Sequence, residues 1–263
     1  MFSRPKKSLG QNFLIDKKVL DEIISTGEIT KEDIVLEIGP GTGNLTKLLI
    51  SKNPKKIIVI EKDNKLSNIL STNFKSKIEV VNKDILEIPN DFFKDQNFLI
   101  FGNLPYNISS QILANLCLNP LLYCSKLIFL FQKEVADRII AKVNTKNYGR
   151  LSILSNWKFN IEKICDIEPS SFNPRPKVKS SLLKFIPKKK IQKITNPKNL
   201  EKITQIFFNE RRKMIKKPIK ILFENKAFDF NRYNLNPSDR PQNIDVETYL
   251  KITIDYEKTK LVF

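Results

Sequence analysis

An open α/β sheet followed by a small, basic helical segment is the architecture this sequence predicts. Three observations carry it. Apolar runs of strand length recur from Ile34 to Ile186, with helically spaced stretches between most of them. Polar or acidic residues follow several of these runs directly, on the edge where open parallel sheets bind ligands. After Pro187 the composition turns to lysine-rich, helix-forming sequence.

The length of 263 residues allows one large domain and a smaller one, with a boundary expected between residues 187 and 188. Lys and Arg number 46 against 28 Asp and Glu, a net +18, which points to a polyanionic partner, nucleic acid ahead of a membrane surface. The chain has no histidine, which excludes an imidazole base and any His-ligated metal. Cys117, Cys124 and Cys165 have neither disulfide-framework nor zinc-site spacing, so a reducing, cytoplasmic setting is expected. The basic N-terminus lacks the apolar stretch of a signal peptide, and runs such as Leu127 to Phe131 are too short to span a membrane.

In chain order, residues 1–14 carry Arg4, Lys6 and Lys7, lack apolar periodicity and read by themselves as a frayed tail. Asp16 can cap a helix bearing Val19, Leu20, Ile23 and Ile24 on one face. Ile34 to Ile38 is a strand, followed by Gly39-Pro40-Gly41-Thr42-Gly43 and a helix near Leu45 capped by Asn44 or Thr42. Asn44 stands where a dinucleotide fingerprint needs its third glycine. Glu37-Ile38-Gly39-Pro40-Gly41 instead fits the pattern of S-adenosylmethionine (SAM) binding. Lys56 to Ile60 is the second strand, and Glu61 at its end is placed to accept from ribose hydroxyls. Ile78 to Val81 is the third, and Asp84 beyond it can accept from an adenine amine.

Asn97 to Phe101 is the fourth strand, and it delivers Asn103-Leu104-Pro105-Tyr106. Asn103 and the Leu104 carbonyl offer acceptors, Pro105 stiffens the turn, and Tyr106 supplies a flat face. Two acceptors beside an aromatic plate suit a planar base with an exocyclic amine. Further on, the pattern predicts a helix bearing Ile108, Ile112, Leu113 and Leu116, a strand over Lys126–Gln132 and a helix over Lys133–Val143. The loop Asn144–Arg150 precedes a helix over Leu151–Phe159, and strands follow near Ile161–Ile167 and Val178–Ile186. In the proline-stiffened segment 168–178, Phe172 is either a displayed ring that stacks on a base or a plug beneath the loop. Lys188, Lys189, Lys190 and Lys193 read as a linker. From Lys184 to Lys220 there are thirteen Lys/Arg and two acids, the strongest phosphate-binding patch in the chain. Helices are expected over 197–223 and Asp245–Tyr256.

Gly10-Gln11-Asn12-Phe13-Leu14, Glu37 to Gly41, Glu61, Asp84, Gly102 to Tyr106, Tyr148-Gly149-Arg150-Leu151, Phe172 to Val178 and Asn209-Glu210-Arg211-Arg212-Lys213 together cover nearly the whole chain. In that order and spacing the sequence resembles the bacterial small-subunit rRNA adenine N6-dimethyltransferases. The resemblance implies a Rossmann-like, seven-stranded SAM-dependent methyltransferase domain with a small all-α C-terminal domain. It implies dimethylation of N6 of two adjacent adenosines in the 3′-terminal hairpin loop of 16S rRNA. SAM is then expected on Gln11, Asn12, Leu14, Gly39, Gly41, Glu61, Asp84 and Asn103. The target adenine is expected on Asn103, Leu104, Pro105, Tyr106 and Phe172. The implied partner is 16S rRNA in the 30S subunit or its precursor, met by a cytoplasmic monomer through Arg211, Arg212, Lys213, Lys216 and Lys217. Arg175 stands where the family's loop often has a proline. The alternatives are a resistance-type 23S rRNA methyltransferase and a non-catalytic assembly factor. A nicotinamide-dependent dehydrogenase is disfavoured by Asn44 and by the lack of histidine.

Overall fold

The computed structural model describes residues 10–224 and 228–260. Arg4, Lys6 and Lys7 lie outside the described residues. The chain divides into two compact units: residues 1–116, 121–136 and 160–187 form the first, and 117–120, 137–159 and 188–263 the second. The second unit therefore takes in residues 137–159, a stretch that the composition break at Pro187 does not mark.

The first unit is built on β2 (Ile34–Ile38), β3 (Lys56–Ile60), β4 (Glu79–Val81), β5 (Phe98–Asn103), β6 (Cys124–Gln132), β7 (Phe159–Ile167) and β9 (Ser180–Pro187), in the order β4-β3-β2-β5-β6-β9-β7. Strands β2 to β6 pair in parallel, and β9 joins β6 antiparallel. Consecutive residues of β2, β3 and β5 are buried, because both faces of such a sheet are covered. This is why their sequences read as continuous apolar runs rather than alternating ones. The helices α1 (Lys17–Gly27), α2 (Asn44–Ser51), α3 (Asn64–Phe74) and α4 (Ser109–Leu118) lie between the strands in sequence. The chain winds outward from β2 to β4, then returns to the other side of β2 as β5. That reversal opens the sheet edge between the ends of β2 and β5.

A second, two-stranded sheet joins β1 (Phe13–Leu14) to β8 (Phe172–Asn173), with Leu14 opposite Phe172. Residues 10–14 are thus tied down rather than frayed. Asp16 caps α1 as its sequence position suggests, accepting from Lys18 N at 3.0 Å, and its carboxylate also receives the Ser171 hydroxyl at 2.8 Å. Neither Asn44 nor Thr42 caps α2. Gly43 is its N-cap, and the Asn44 amide instead donates to the Leu14 carbonyl at 2.8 Å. The helix after β6, α5, covers only Lys133–Ile139.

The second unit contains α6 (Arg150–Lys158), α7 (Pro197–Asn209), α8 (Lys216–Leu222) and α9 (Val246–Lys260). Leu200, Ile203 and Phe207 of α7 and Tyr249, Ile252 and Tyr256 of α9 are buried, with the Phe207 and Tyr249 rings edge-to-face at 5.3 Å. Asn196 caps α7, and Glu257 of α9 accepts from Thr195 N at 2.7 Å and Asn196 N at 2.8 Å. The lysine-rich stretch before α7 is fastened to α6, since Trp157 donates to the Gln192 carbonyl at 3.0 Å. Among the described residues no helix is long and apolar enough to cross a membrane.

Candidate functional site

A pocket of about 270 Å³ opens at the carboxyl ends of β2, β3 and β5. Its lining includes Gln11, Asn12, Gly39, Gly41, Glu61, Asp84 and Asn103, and also Leu104, Pro105 and Tyr106. Residues spread over nearly a hundred positions meet there because parallel strands end on one edge.

The turn after β2 needs its glycines. Gly41 has φ +58°, and a Cβ there would fall 2.8 Å from the Phe13 ring. Glu61, at the end of β3, accepts from Gly41 N at 3.1 Å and from Asp63 N at 2.8 Å, so the same carboxylate shapes the turn and faces the pocket. It is only 6 % exposed, and burial pushes its pKa up against the pull of those amides. Asp84, beyond β4, caps the short turn Ile85–Glu87 through Leu86 N at 3.0 Å and pairs with Lys62 at 2.6 Å. Burial works against its charge, but the Lys62 and Leu86 hydrogen bonds outweigh it and the pKa falls.

Gly102 lets β5 run into the site. A Cβ there would meet Leu104 Cδ2 at 2.7 Å and the Ile38 carbonyl at 3.2 Å. Asn103 follows, and its Nδ2 donates to the Asn12 carbonyl at 2.8 Å, while Asn12 Nδ2 reaches the Gly10 carbonyl at 3.3 Å. With Nδ2 so engaged, Oδ1 is the acceptor that Asn103 offers. Tyr106 is half-buried, and its hydroxyl lies 2.6 Å from Ser180 Oγ.

Two expected site residues are not on this lining. Phe172 is 3 % exposed and packs into the core with Leu14, so the ring is a plug and not a displayed plate. Pairing of β8 with β1 turns it inward. Leu14 is buried beside it, and its carbonyl is taken by Asn44. The Phe172–Val178 segment meets the site indirectly, by holding the strand that follows Asn12.

The basic run of the second unit is heterogeneous. Arg211 Nε donates to Gln242 at 3.1 Å, and its Nη2 reaches the carbonyls of Thr145, at 3.3 Å, and Lys146. It is therefore a fastener of the loop 144–150, not an outward phosphate contact. Lys217 pairs with Glu210 at 2.7 Å. Arg212, Lys213, Lys216 and Lys220 are exposed. Sequence reasoning also missed Lys62 and Ser180. No signal reveals Lys62, whereas Ser180 opens β9 just after the proline-stiffened segment.

The model of the ribosomal RNA adenine dimethylase family matches residues 2–258. The chain belongs to that family. It is a SAM-dependent rRNA methyltransferase. Among similar proteins, "Ribosomal RNA small subunit methyltransferase A" of Pelagibacter ubique (strain HTCC1062) is 51% identical over 98% of this chain and 98% of its own. The protein of the same name from Malacoplasma penetrans (strain HF-2) is 37% identical over 95% of this chain and 91% of its own. A dimethyladenosine transferase from Plasmodium falciparum superposes with a TM-score of 0.77 at 29% identity, over 94% of this chain and 98% of that one. The 23S rRNA methyltransferase ErmE, at TM-score 0.67 and 24% identity over 93% of this chain, agrees in fold. The seven-stranded sheet of this dimethylase is thus the Rossmann-like methyltransferase fold.

Proposed function

We propose that this dimethylase transfers two methyl groups to N6 of each of two adjacent adenosines in the 3′-terminal hairpin loop of 16S rRNA, in the small subunit or its precursor. It acts as a cytoplasmic monomer. The 51% identical relative named for the small ribosomal subunit supports this reading over a 23S substrate. The observation that carries the chemistry is the Asn103 amide, pinned to the Asn12 carbonyl with its Oδ1 left to accept at the pocket edge, beside Tyr106.

The lining fits SAM. Gly39 and Gly41 leave room at the turn, Glu61 offers an acceptor for ribose hydroxyls, and Asp84 offers one for an adenine amine. Ile38, Ile60, Ile85 and Leu86 supply apolar walls for a flat base. Gln11 and Asn12 cover the pocket from the N-terminal side; Leu14 and Phe172 support that cover from behind. When bound, SAM supplies an activated sulfonium methyl group.

The target amine is a weak nucleophile because its lone pair is delocalised into the ring. Asn103 Oδ1 and the Leu104 carbonyl hold its protons and favour a pyramidal nitrogen. Tyr106 stacks on the base, which is splayed from a loop. Alignment supplies most of the rate, so a chain without histidine suffices. Arg212, Lys213 and Lys216 contact phosphate, with Lys217 exchanging Glu210 for it. The test is incubation of undermethylated small subunits with labelled SAM and the protein, followed by nucleoside analysis. N6,N6-dimethyladenosine at two adjacent positions is expected; no label in the small subunits, or label only in a parallel incubation with large subunits, overturns the proposal.

A further inference from the structure

We infer that Ser180 is a positioning residue for methyl transfer: its hydroxyl locks the tilt of the Tyr106 ring against which the target base lies. This rests on the reading of Tyr106 as the base-stacking plate.

The two hydroxyl oxygens are 2.6 Å apart, a short bond for neutral groups. Ser180 is fully buried, at 0 % exposure, so no water takes its place easily. It is also held rigidly. It opens β9, opposite Gln132 of β6, and Lys133 N donates to the Lys179 carbonyl at 2.9 Å. Ser181, on the other face of β9, donates to Asp166 at 2.6 Å, and Asp166 also holds Lys163 at 2.6 Å. The anchor is therefore fixed by both neighbouring strands.

The Tyr106 backbone is held too, since the buried Ser109 hydroxyl donates to its carbonyl at 3.3 Å. With main chain and hydroxyl both fixed, the ring has one tilt. A phenol left without this bond would tilt freely or turn its hydroxyl toward water. A fixed plate matters most for the second transfer. The monomethylated nitrogen is bulkier and must turn to present its lone pair while the base stays in plane. A tilting ring lets the base drift, and small misplacements of reacting atoms are expensive. The tyrosine hydroxyl, useless for stacking itself, thereby gains a function.

The test compares Ser180→Ala, Tyr106→Phe and the double variant, all with undermethylated small subunits at saturating SAM. Each single variant should lower kcat roughly tenfold, the scale of one lost buried hydrogen bond. SAM affinity should not change, and monomethyladenosine should accumulate ahead of dimethyladenosine. The double variant should be no worse than either single one, because both remove the same bond. A purely structural role predicts a lowered melting temperature with normal product ratio, and losses that multiply would mean that the two hydroxyls act independently. Should Ser180→Ala fail to fold, Tyr106→Phe alone decides, since it must show the same slow second transfer. Wild-type kcat and product ratio in Tyr106→Phe overturn the inference. Tyr106→Ala separates the underlying reading: if it too is fully active, the stacking role fails; if only it is inactive, stacking stands and the Ser180 lock falls.

Discussion

Polar groups at the strand ends of the first unit and cations around α8 of the second unit are both candidates for binding, but they are built differently. Glu61, Asp84 and Asn103 each hold a backbone group and still face the pocket. Their places are set by the ends of paired parallel strands. The cations have no such frame. Arg211 is consumed within its unit, while Arg212, Lys213 and Lys216 stand in solvent. Lys217 sits between these cases, because an exposed pair such as Lys217–Glu210 contributes about 0–1 kcal/mol and is readily exchanged. A strand-end site thus specifies geometry, whereas a charge run specifies only field strength. Substitutions at the first should act on chemistry and those at the second on affinity.

The largest effect is expected at Asn103. Asn103→Ala removes the proposed amine acceptor and also releases the Asn12 carbonyl. Turnover at saturating SAM should fall by roughly 10²-fold, the scale of one preorganised polar contact in a transition state. Binding to the small subunit should survive, since phosphate contacts dominate affinity. Wild-type single-turnover rates in a variant that binds SAM would remove Asn103 from the mechanism.

Glu61→Ala comes next. It takes away the proposed ribose acceptor together with the clamp on Gly41 N. Hydrogen bonds to a charged group contribute about 1.5–3 kcal/mol each, so calorimetry should record at least a tenfold weaker SAM affinity. Unaltered affinity in a folded variant would assign Glu61 to the turn alone.

The cation region offers a matched pair. Replacing Arg212, Lys213 and Lys216 by Ala should lower RNA affinity and reduce the log–log salt slope by about 0.9 per lost contact with duplex phosphate. Arg211→Ala should leave the slope unchanged and lower the thermal stability of the second unit. If Arg211→Ala flattens the slope as the triple variant does, the distinction between fastened and free cations collapses.

The contrast also explains how much could be read from sequence. Ile34–Ile38, Lys56–Ile60 and Asn97–Phe101 declare themselves by apolar runs, and once strands are placed in parallel their next residues must share an edge. Glu61, Asp84 and Asn103 were therefore legible. Phe172 was not, because its burial depends on β8 pairing with Phe13–Leu14, some 160 residues away and only two residues long. Local polarity around Phe172 suggested display; tertiary pairing decided otherwise. Arg211 was illegible for the same reason, since its acceptors are carbonyls of a remote loop, and a carbonyl carries no sequence signal. Asn44 looked like a cap because it begins a helix, yet its amide reaches the Leu14 carbonyl.

The smallest effect, on stability alone, comes from the other acid of the glycine motif. Glu37 lies in β2 between Leu36 and Ile38, is buried, and receives the Thr46 hydroxyl of α2 at 2.6 Å. It faces a cleft of about 30 Å³ and is not on the lining of the main pocket. Burial, opposed by the Thr46 bond and reinforced by the charge of Glu61, raises its pKa from 4.5 to about 8. The folded chain then holds a proton that the unfolded chain has already released over that interval. Stability falls as pH rises wherever the native state binds more protons, so this carboxyl favours folding least at and above pH 8. Glu37→Gln keeps an acceptor for Thr46 and cannot ionise. Its melting temperature should match or exceed that of the wild type at pH 8, and the difference should shrink toward pH 5. Each tenfold rise in proton affinity corresponds to about 1.4 kcal/mol, enough to shift the midpoint by a few degrees. SAM affinity should be unchanged, in contrast to Glu61→Ala. A pH-independent difference would mean that Glu37 is ionised in the folded protein, and loss of SAM binding would extend the pocket's ligand set into β2.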